Sequence, residues 1–307
     1  MRVADYRAGF VGLVGLPNAG KSTLTNLLVG EKVSIVTAKA QTTRQRVSGV
    51  VTMEQGQIVL VDAPGVISAD QTQGLNTYLQ GELVDLIEES DALLLVLQRE
   101  LLDLNAVRAM IDRVERAAKP WAVVVTKMDL KLGQPELQEL MEGFRHRGIP
   151  VFELALLKLK ANSPEVRALK LALLELLPES PAPLYDPELY TTQSQRQLAA
   201  ELIREQCFSL LHQEIPYGIA VRVLRFIEDD GPVVKVYAEI LVNKDNHKGI
   251  VVGKGADMVR RIGSQARQEL EKILGRKVFL DLHVAVKKDW VKNPGIMKEL
   301  GYVISTK

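Results

Sequence analysis

The chain has 307 residues, of which 47% are hydrophobic and 25% charged, and its formal net charge is +1. This length and balance predict a soluble multidomain protein that buries substantial cores. The longest unbroken apolar run, Ala92–Leu97, is far shorter than the roughly 20 residues of a transmembrane helix. We expect a cytosolic protein without a secretory leader. The single cysteine, Cys207, excludes an internal disulfide and a cysteine zinc cluster.

Residues 8–178 alternate short apolar runs with amphipathic segments. The runs AGFVGLV, QIVLVD, ALLLVL, WAVVVT and VFELAL are predicted to be strands, with helices between most of them. This alternation predicts an α/β domain with a doubly wound, mostly parallel sheet. In RVSGVVTMEQGQIVLVD, however, the turn signal EQG joins two strand-like runs without a helix. We therefore expect one antiparallel strand at an edge of the sheet.

A proline-bearing stretch, PESPAPLYDPELYT, ends this alternation and disfavours regular structure. We predict a first domain over residues 1–178, a linker over 179–191 and a second domain over 192–307. The second domain is expected to have the order α-β-β-α-β, with a glycine loop before a basic helix at Asp257–Leu274 and a small helix near PGIMKEL. Residues 241–307 hold fourteen Lys and Arg against seven Asp and Glu, so the C-terminal end is basic.

The stretch GLPNAGKS, Gly15–Ser22, fits the pattern G-x-x-x-x-G-K-[ST] between a predicted strand and a predicted helix. Polyphosphate oxygens approach main-chain N–H groups closely where side chains are absent, and a helix N-terminus adds a favourable dipole. We expect Lys21 to reach the outer phosphates and the Ser22 hydroxyl to bind Mg²⁺. The predicted nucleotide-binding residues here are Gly15, Asn18, Ala19, Gly20, Lys21, Ser22 and Thr23. The motif alone does not choose between ATP and GTP.

Two further motifs end predicted strands. In DAPG, the Asp62 carboxylate is expected to hold Mg²⁺ through water, and Gly65 is expected to present an N–H to the γ-phosphate. In TKMD, which ends the strand WAVVV, the carboxylate of Asp129 is placed to accept hydrogen bonds from the N1 and N2 donors of guanine. Adenine does not offer that pair of donors, so Asp129 favours GTP.

These motifs resemble those of the translation-factor-related GTPases. QTTRQR at residues 41–46, LAAELIREQ, EIPYGIAV, GSQAR and the closing LGY resemble the Era family over the whole chain. The resemblance implies a P-loop GTPase domain over 1–178 and an α+β KH type II domain over 192–307. It also implies a GTP-hydrolysing switch that binds the 3′ end of 16S ribosomal RNA and assists assembly of the small ribosomal subunit. The resemblance further implies a monomeric protein with some association to the inner membrane.

The same resemblance implies roles for single residues. Thr43 is expected to contact Mg²⁺ and the γ-phosphate, and Asn18 matches a loop asparagine that helps to hold a potassium ion in related GTPases. Lys127 is expected to pack its stem along the base that Asp129 reads. The expected catalytic residues are then Asn18, Lys21, Thr43 and Gly65, and the expected Mg²⁺ ligands are Ser22, Thr43 and Asp62.

Some positions depart from the family pattern. Thr126 replaces the asparagine of N-K-x-D, while Ala155 and Leu156 replace the serine and alanine of the guanine loop SAL, whose base contact is a main-chain N–H. We still assign these three residues to the base site. Val66 stands where Ras-like enzymes carry the glutamine that orients the attacking water, so we expect slow unstimulated hydrolysis.

The second domain carries GKGA where KH domains have G-x-x-G. A loop without side chains admits the phosphate backbone of RNA closely. The expected RNA-binding residues are Gly253, Lys254, Gly255 and Ala256, followed by Arg260 and Arg261 on the next helix. The two arginines are equally compatible with an ordinary solvated helix face.

Two other functions remain open on the sequence. A GTPase acting in tRNA modification shares the loop asparagine but carries other appended domains, and the basic C-terminal domain argues against it. An RNA-binding protein with a decayed GTPase domain is suggested by Thr126, Ala155 and Ala256. The intact Lys21 and Asp62 oppose that second alternative.

Overall fold

The computed structural model describes residues 6–303, apart from residues 38, 40–41, 66–73, 102, 132–133 and 230. Within this described part the chain divides into two compact units. The first unit holds the chain up to residue 34, residues 43–70 and residues 79–192. The second unit holds residues 193–307 together with two earlier stretches, 35–42 and 71–78. Two short stretches that precede the linker therefore belong to the second unit.

The first unit is built on a six-stranded sheet. Its strands are β1 (Arg7–Val14), β2 (Val47–Met53), β3 (Gly56–Asp62), β4 (Ala92–Gln98), β5 (Trp121–Thr126) and β6 (Val151–Glu153). The order is β2-β3-β1-β4-β5-β6, and only the edge strand β2 pairs antiparallel to its neighbour within this described sheet. The predicted antiparallel edge strand is thus confirmed. β6 is shorter than the predicted run VFELAL, because the backbone turns at Ala155 into a short 3-10 segment, Leu156–Lys158.

Helices cover both faces of this sheet. They are α1 (Lys21–Val29), α2 (Leu75–Glu89), α3 (Leu104–Arg116), α4 (Pro135–His146) and α5 (Pro164–Glu175). Alternate residues of β4 point to opposite faces of the sheet. Leu94 and Val96 pack with α1 and α5, whereas Leu93 and Leu95 pack with α2, α3 and α4. This two-residue alternation with apolar side chains on both faces explains why central strands have continuous apolar sequences.

The linker is held against the first unit by backbone pairing and by one buried amide side chain. The carbonyl of Tyr190 accepts a hydrogen bond from the Val50 N–H at 2.9 Å. Gln57, which is fully buried, accepts from the N–H groups of Leu184 and Tyr185 at 2.8 and 2.9 Å. The proline-bearing stretch therefore contains isolated bridges but no helix or strand of its own, as the sequence predicts.

The second unit contains α6 (Gln195–Leu210), β7 (Ile219–Ile227), β8 (Val233–Val242), α7 (Asp245–Val252), α8 (Asp257–Leu274), β9 (Lys277–Val286) and α9 (Pro294–Glu299). Its sheet has the order β7-β8-β9, with β7 antiparallel and β9 parallel to β8. The sequence-based order omitted α7, and this was wrong. The helix is only eight residues long, and its interior Gly249 favours a loop in any propensity argument. No helix among the described residues has the length and apolarity to cross a membrane.

Aromatic residues close the C-terminal end of the second unit. Trp290 is fully buried, and its indole N–H donates to the carbonyl of Gly218 at 2.9 Å. Its ring stacks on Tyr302 at a centroid distance of 5.8 Å, and Tyr302 meets Tyr78 edge to face at 5.4 Å. Trp290 and Tyr302 thus pack the C-terminal tail.

The core of this unit also contains the cysteine. Cys207 lies on α6 and is fully buried, and burial raises the pKa of its thiol to about 12. A thiol in that state carries almost no thiolate at neutral pH and is chemically inert. Cys207 is therefore a core residue.

Ile35, Val36 and Lys39 contact the second unit at α6. Ile35 joins the apolar core of that unit, and the N–H of Val36 donates to Glu205 Oε1 at 2.9 Å. The ammonium of Lys39 donates to the carbonyls of Phe208 and Leu211 at the end of α6. A cation at this position satisfies carbonyl groups that lack partners within the helix.

Candidate functional site

The loop between β1 and α1 is shaped by glycine. A Cβ added to Gly15 would lie 2.4 Å from the carbonyl oxygen of Val96, so no side chain fits there. Gly20 has a φ of 93° as the residue that caps α1, and Asn18 has a φ of 62° at the exposed part of the loop. The loop therefore presents bare backbone at the first turn of α1, where N–H groups have no partner within the helix.

Lys21 lies inside this loop. Its ammonium donates to the carbonyls of Gly15 and Leu16 at 3.0 and 3.2 Å, and the residue is 7% exposed. Burial lowers the pKa of Lys21, and the nearby carboxylate of Asp62 opposes that shift. The ammonium of Lys21 is thus placed where it can also donate hydrogen bonds to the phosphate oxygens of a nucleotide.

Three residues that the sequence assigns to Mg²⁺ come together beside this lysine. Ser22 Oγ donates to Asp62 Oδ2 at 2.5 Å and lies 3.0 Å from Thr43 Oγ1. A fourth residue, Ser34, donates its hydroxyl to the same Asp62 oxygen at 3.0 Å. Sequence reasoning missed Ser34 because it lies outside any motif.

The carboxylate of Asp62 has an unused oxygen. Asp62 is fully buried, and its Oδ1 has no hydrogen-bond partner among the described residues. Burial is the main cause of its raised pKa, since it disfavours the charged form. Hydroxyl and carboxylate oxygens are the ligands that Mg²⁺ prefers, and a cation here would compensate the buried charge. The residues present therefore fit the metal.

Gly65 lies against the phosphate loop. A Cβ on Gly65 would lie 2.6 Å from the backbone nitrogen of Pro17, so only glycine allows this approach. The main chain of DAPG and that of GLPNAGKS therefore meet at Gly65, as a shared phosphate site requires. Val66, on which the expectation of slow hydrolysis depends, lies outside the described residues.

The predicted base-binding residues surround the opposite side of the loop. Thr126 Oγ1 donates to the carbonyls of Ala19 and Leu97 at 2.7 and 3.1 Å. Although threonine lacks the amide of asparagine, its hydroxyl still ties the end of β5 to the phosphate loop. The side chain of Leu156 lies within 3.4 Å of the position that a Cβ on Gly20 would take. The buried Leu156 therefore packs under the loop.

The remaining base-site residues differ in their exposure. Lys127 has a φ of 58°, and its ammonium donates to Gln98 Oε1 at 2.6 Å, a partner that sequence reasoning missed. Burial lowers the pKa of Lys127. Asp129 is exposed, and Ala155 is half-buried with its carbonyl accepting from Lys158 N–H at 2.8 Å. An exposed carboxylate at a strand end is accessible to a base.

The loop of the second unit lies before α8. Gly253, Gly255 and Ala256 have φ angles of 76°, 59° and 64°. Lys254 and Gly255 are exposed, and Cβ atoms on Gly255 would meet nothing within 4 Å. Ala256 is the residue that caps α8, so an L-residue occupies the left-handed region there. The loop thus keeps the glycine-type backbone although its last residue is alanine.

Arg260 and Arg261 follow this loop on the first turn and a half of α8, and both are exposed. Ile262, the next residue, is fully buried in the core of the second unit. The two arginines therefore project from the solvent side of the helix, near the loop in sequence.

Comparison with known proteins assigns both units. Residues 10–127 match the family model described as 50S ribosome-binding GTPase, and residues 214–291 match the KH domain model. A protein from Geotalea daltonii called GTPase Era is 34% identical over 98% of this chain and 100% of its own length. GTPase Era from Syntrophus aciditrophicus is 37% identical over 97% of this chain and 95% of its own length.

Solved structures of similar proteins agree. A variant of Era from Aquifex aeolicus bound to GDP and aluminium fluoride is 34% identical, with a TM-score of 0.87, over 97% of this chain and 99% of that one. A structure of Era with MgGDPNP and nucleotides 1506–1542 of 16S ribosomal RNA is also 34% identical and has a TM-score of 0.88. The match covers 97% of this chain and 99% of that one. With its phosphate loop, base motif and KH domain, the chain belongs to the Era family of GTPases.

Proposed function

We propose that the protein is a GTP-hydrolysing switch that binds the 3′ end of 16S ribosomal RNA. The observation that carries the GTPase half is the convergence of Ser22, Thr43 and Asp62, where one buried Asp62 oxygen has no partner in the described part of the chain. The RNA half is supported by the KH domain and by the similar Era protein that was solved with nucleotides 1506–1542 of 16S ribosomal RNA.

In this proposal each part of the site has one task. Gly15, Asn18, Ala19, Gly20 and Thr23 surround the phosphates with backbone, and Lys21 transfers part of its hydrogen bonding from carbonyls to phosphate oxygens. Ser22, Thr43 and Asp62 would hold Mg²⁺, which supplies charge stabilisation for phosphoryl transfer. Gly65 presents its N–H to the γ-phosphate. Thr126, Lys127, Asp129, Ala155 and Leu156 bind the guanine base.

Asn18 is proposed to hold a potassium ion that adds positive charge during hydrolysis. Its side chain is exposed at the tip of the loop, where its amide oxygen is free to act as a ligand. Turnover measured in potassium chloride and in sodium chloride at equal ionic strength tests this role. Faster turnover in potassium that is lost in Asn18→Ala is the expected result, and equal rates in both salts would contradict it.

The RNA is proposed to bind at Gly253–Ala256, with Arg260 and Arg261 as phosphate contacts. Because 16S ribosomal RNA belongs to the small subunit, we propose that the protein acts on that particle, whereas the matched family description names the large one. We further propose a cytosolic monomer with peripheral association to the inner membrane. Sedimentation of cell extracts tests the action on the small subunit: the protein should co-migrate with small-subunit precursors.

The central experiment measures both activities in one protein. GTP hydrolysis is followed by phosphate release, and RNA binding by fluorescence anisotropy on an oligonucleotide that copies the 3′ end of 16S ribosomal RNA. Asp62→Ala should abolish Mg²⁺-dependent hydrolysis because it removes the buried metal ligand. Hydrolysis that persists at the wild-type rate in this variant would overturn the assignment of the metal site.

A further inference from the structure

The open face of the sheet in the second unit carries a surface that the proposed function does not use. On the covered face, Val278, Leu280 and Leu282 of β9 join the apolar core with residues of α6 and α8. Successive side chains of a strand point to opposite faces, so Phe279 points away from that core. Phe279 is 50% exposed despite its size.

Two aromatic rings form the centre of this surface. In the β8–β9 register, Phe279 lies opposite Lys235, and Tyr237 lies two residues further along β8. The ring centroids of Tyr237 and Phe279 are 5.9 Å apart, and the planes are inclined by 59°. The guanidinium carbon of Arg225, which is opposite Tyr237 on β7, lies 5.1 Å from the tyrosine centroid. Packing between neighbouring strands accounts for these ring contacts. It does not account for the exposure of half of the Phe279 side chain, because apolar surface in water is unfavourable.

Three exposed cations lie near the rings, and two of them belong to no ion pair among the described residues. Arg225 and Lys235 are both exposed, and neither lies within ion-pair distance of a carboxylate in the described part of the chain. Lys277, two residues before Phe279, is also exposed and lies 3.6 Å from Glu271 of α8. This end of the open face is therefore apolar at its centre and cationic around it.

Two carboxylates lie on the same face, Glu239 on β8 and Asp281 on β9, and Asp281 is opposite Tyr237 in the β8–β9 register. Glu239 accepts from Arg222 Nη2 at 2.7 Å. Asp281 lies 3.5 Å from the imidazole of His283. Asp281 therefore lowers the positive potential beside Tyr237, whereas the residue opposite Phe279 is the cation Lys235.

We propose that the surface formed by Arg225, Lys235, Tyr237 and Phe279, here called the open-face patch, binds single-stranded RNA. An unpaired base stacks on the exposed face of Phe279, and the two cations contact the adjacent phosphates. Exposed aromatic side chains on a sheet, flanked by cations, are a common platform for unstacked bases. The patch gives the RNA a second contact beyond the Gly253–Ala256 loop, so this inference rests on the proposed RNA binding.

Two RNAs and four variants test the patch. One RNA copies only the 3′-terminal nucleotides, and the other covers the whole segment 1506–1542. Phe279→Ala should weaken binding of the longer RNA about tenfold, as expected for one lost stacking contact, and leave the shorter one unchanged. Phe279→Trp should keep the affinity because it keeps a stacking surface. Lys235→Gln should reduce the salt dependence of binding to the longer RNA.

The controls separate this inference from the proposed function. Leu171→Ala removes a side chain of the first unit that is 36% exposed, and it should leave both affinities unchanged. If wild-type protein binds neither RNA, the proposed function fails. If it binds both but Phe279→Ala binds the longer RNA as tightly as wild type, only the open-face patch is overturned.

A second measurement tests contact directly. Ultraviolet crosslinking to the longer RNA followed by mass spectrometry of peptides should give adducts on the β9 peptide that contains Phe279. Adducts confined to the Gly253–Ala256 loop would overturn the proposal. Binding to vesicles of phosphatidylglycerol that depends on Lys235 and Phe279, without any effect of these residues on RNA, would identify the patch as a membrane contact and also overturn it.

Discussion

The two units contain similar loops that place lysine differently. Both loops end in a residue with a left-handed backbone immediately before a helix: Gly20 with a φ of 93° before α1, and Ala256 with a φ of 64° before α8. In the first loop Lys21 is buried and bonded to carbonyl oxygens, whereas in the second Lys254 is exposed. The first loop therefore encloses its lysine, whereas the second presents its lysine to solvent.

The largest effect is expected at the buried lysine. Lys21→Ala should weaken GTP binding by about 3 kcal/mol, or more than a hundredfold, because charged hydrogen bonds to phosphate are lost in a desolvated site. Titration with a fluorescent GTP analogue measures the loss. Lys254→Ala is the matched control and should bind the nucleotide like wild type. Equal losses in the two variants would break the contrast between the loops.

The exposed loop should respond to charge in RNA binding alone. Replacing Lys254 and Gly255 together by aspartate should weaken RNA binding by about 2 kcal/mol, because two negative charges then face phosphates. The log–log salt dependence, about −0.7 per phosphate contact on single strands, should become shallower. Fluorescence anisotropy at several salt concentrations measures both quantities. Intrinsic GTP hydrolysis should not change, and unaltered RNA binding would mean that this loop is only a turn.

A smaller effect is expected where the nucleotide base is read. Asp129→Asn should reduce the preference for GTP over xanthosine triphosphate by about 1–3 kcal/mol, because the amide pairs with a carbonyl where guanine has an amine. Competition with GTP, ATP and the xanthine nucleotide measures the change. Wild-type protein with equal affinity for ATP and GTP would contradict the assignment of Asp129. Because Asp129→Asn leaves the phosphate loop intact, a changed nucleotide preference reports on base recognition and not on the loop.

The smallest effect concerns the alanine at the second loop. Ala256→Gly should raise the free energy of unfolding by about 0.5 kcal/mol, since glycine avoids the cost of a left-handed L-residue but loses more chain entropy. RNA binding should stay equal or become tighter. Urea denaturation measures the stability, and the exposed helical Ala109→Gly is the control, with an expected loss of about 1 kcal/mol. A loss of stability in Ala256→Gly would contradict the backbone argument.

Much of the fold follows from local sequence signals. The strands of the first unit have continuous apolar runs because their side chains are buried on both faces, and α8 begins at Asp257 and ends at Leu274 as predicted. The missed helix α7 is short and contains Gly249, so its stability comes from packing that no local pattern records.

The residues of the candidate site likewise fall into those that the sequence predicts and those that it does not. Ser22 and Asp62 were predicted from motifs, Thr43 was predicted from the resemblance to the Era family, and the three side chains lie together. Ser34 and Gln98 were not predicted, because each acts through a partner distant in sequence: Ser34 bonds Asp62, and Gln98 bonds Lys127. Three-dimensional proximity alone brings such residues into a site.

The membership of residues 35–42 in the second unit has a consequence for dissecting the molecule. The chain passes from one unit to the other five times and not only at the linker. A fragment cut at the linker would lack Ile35, which lies in the second core, and Tyr78, which packs on Tyr302. Truncation is therefore a poor way to isolate either activity, and point variants in the full-length chain are the sound genetic tool.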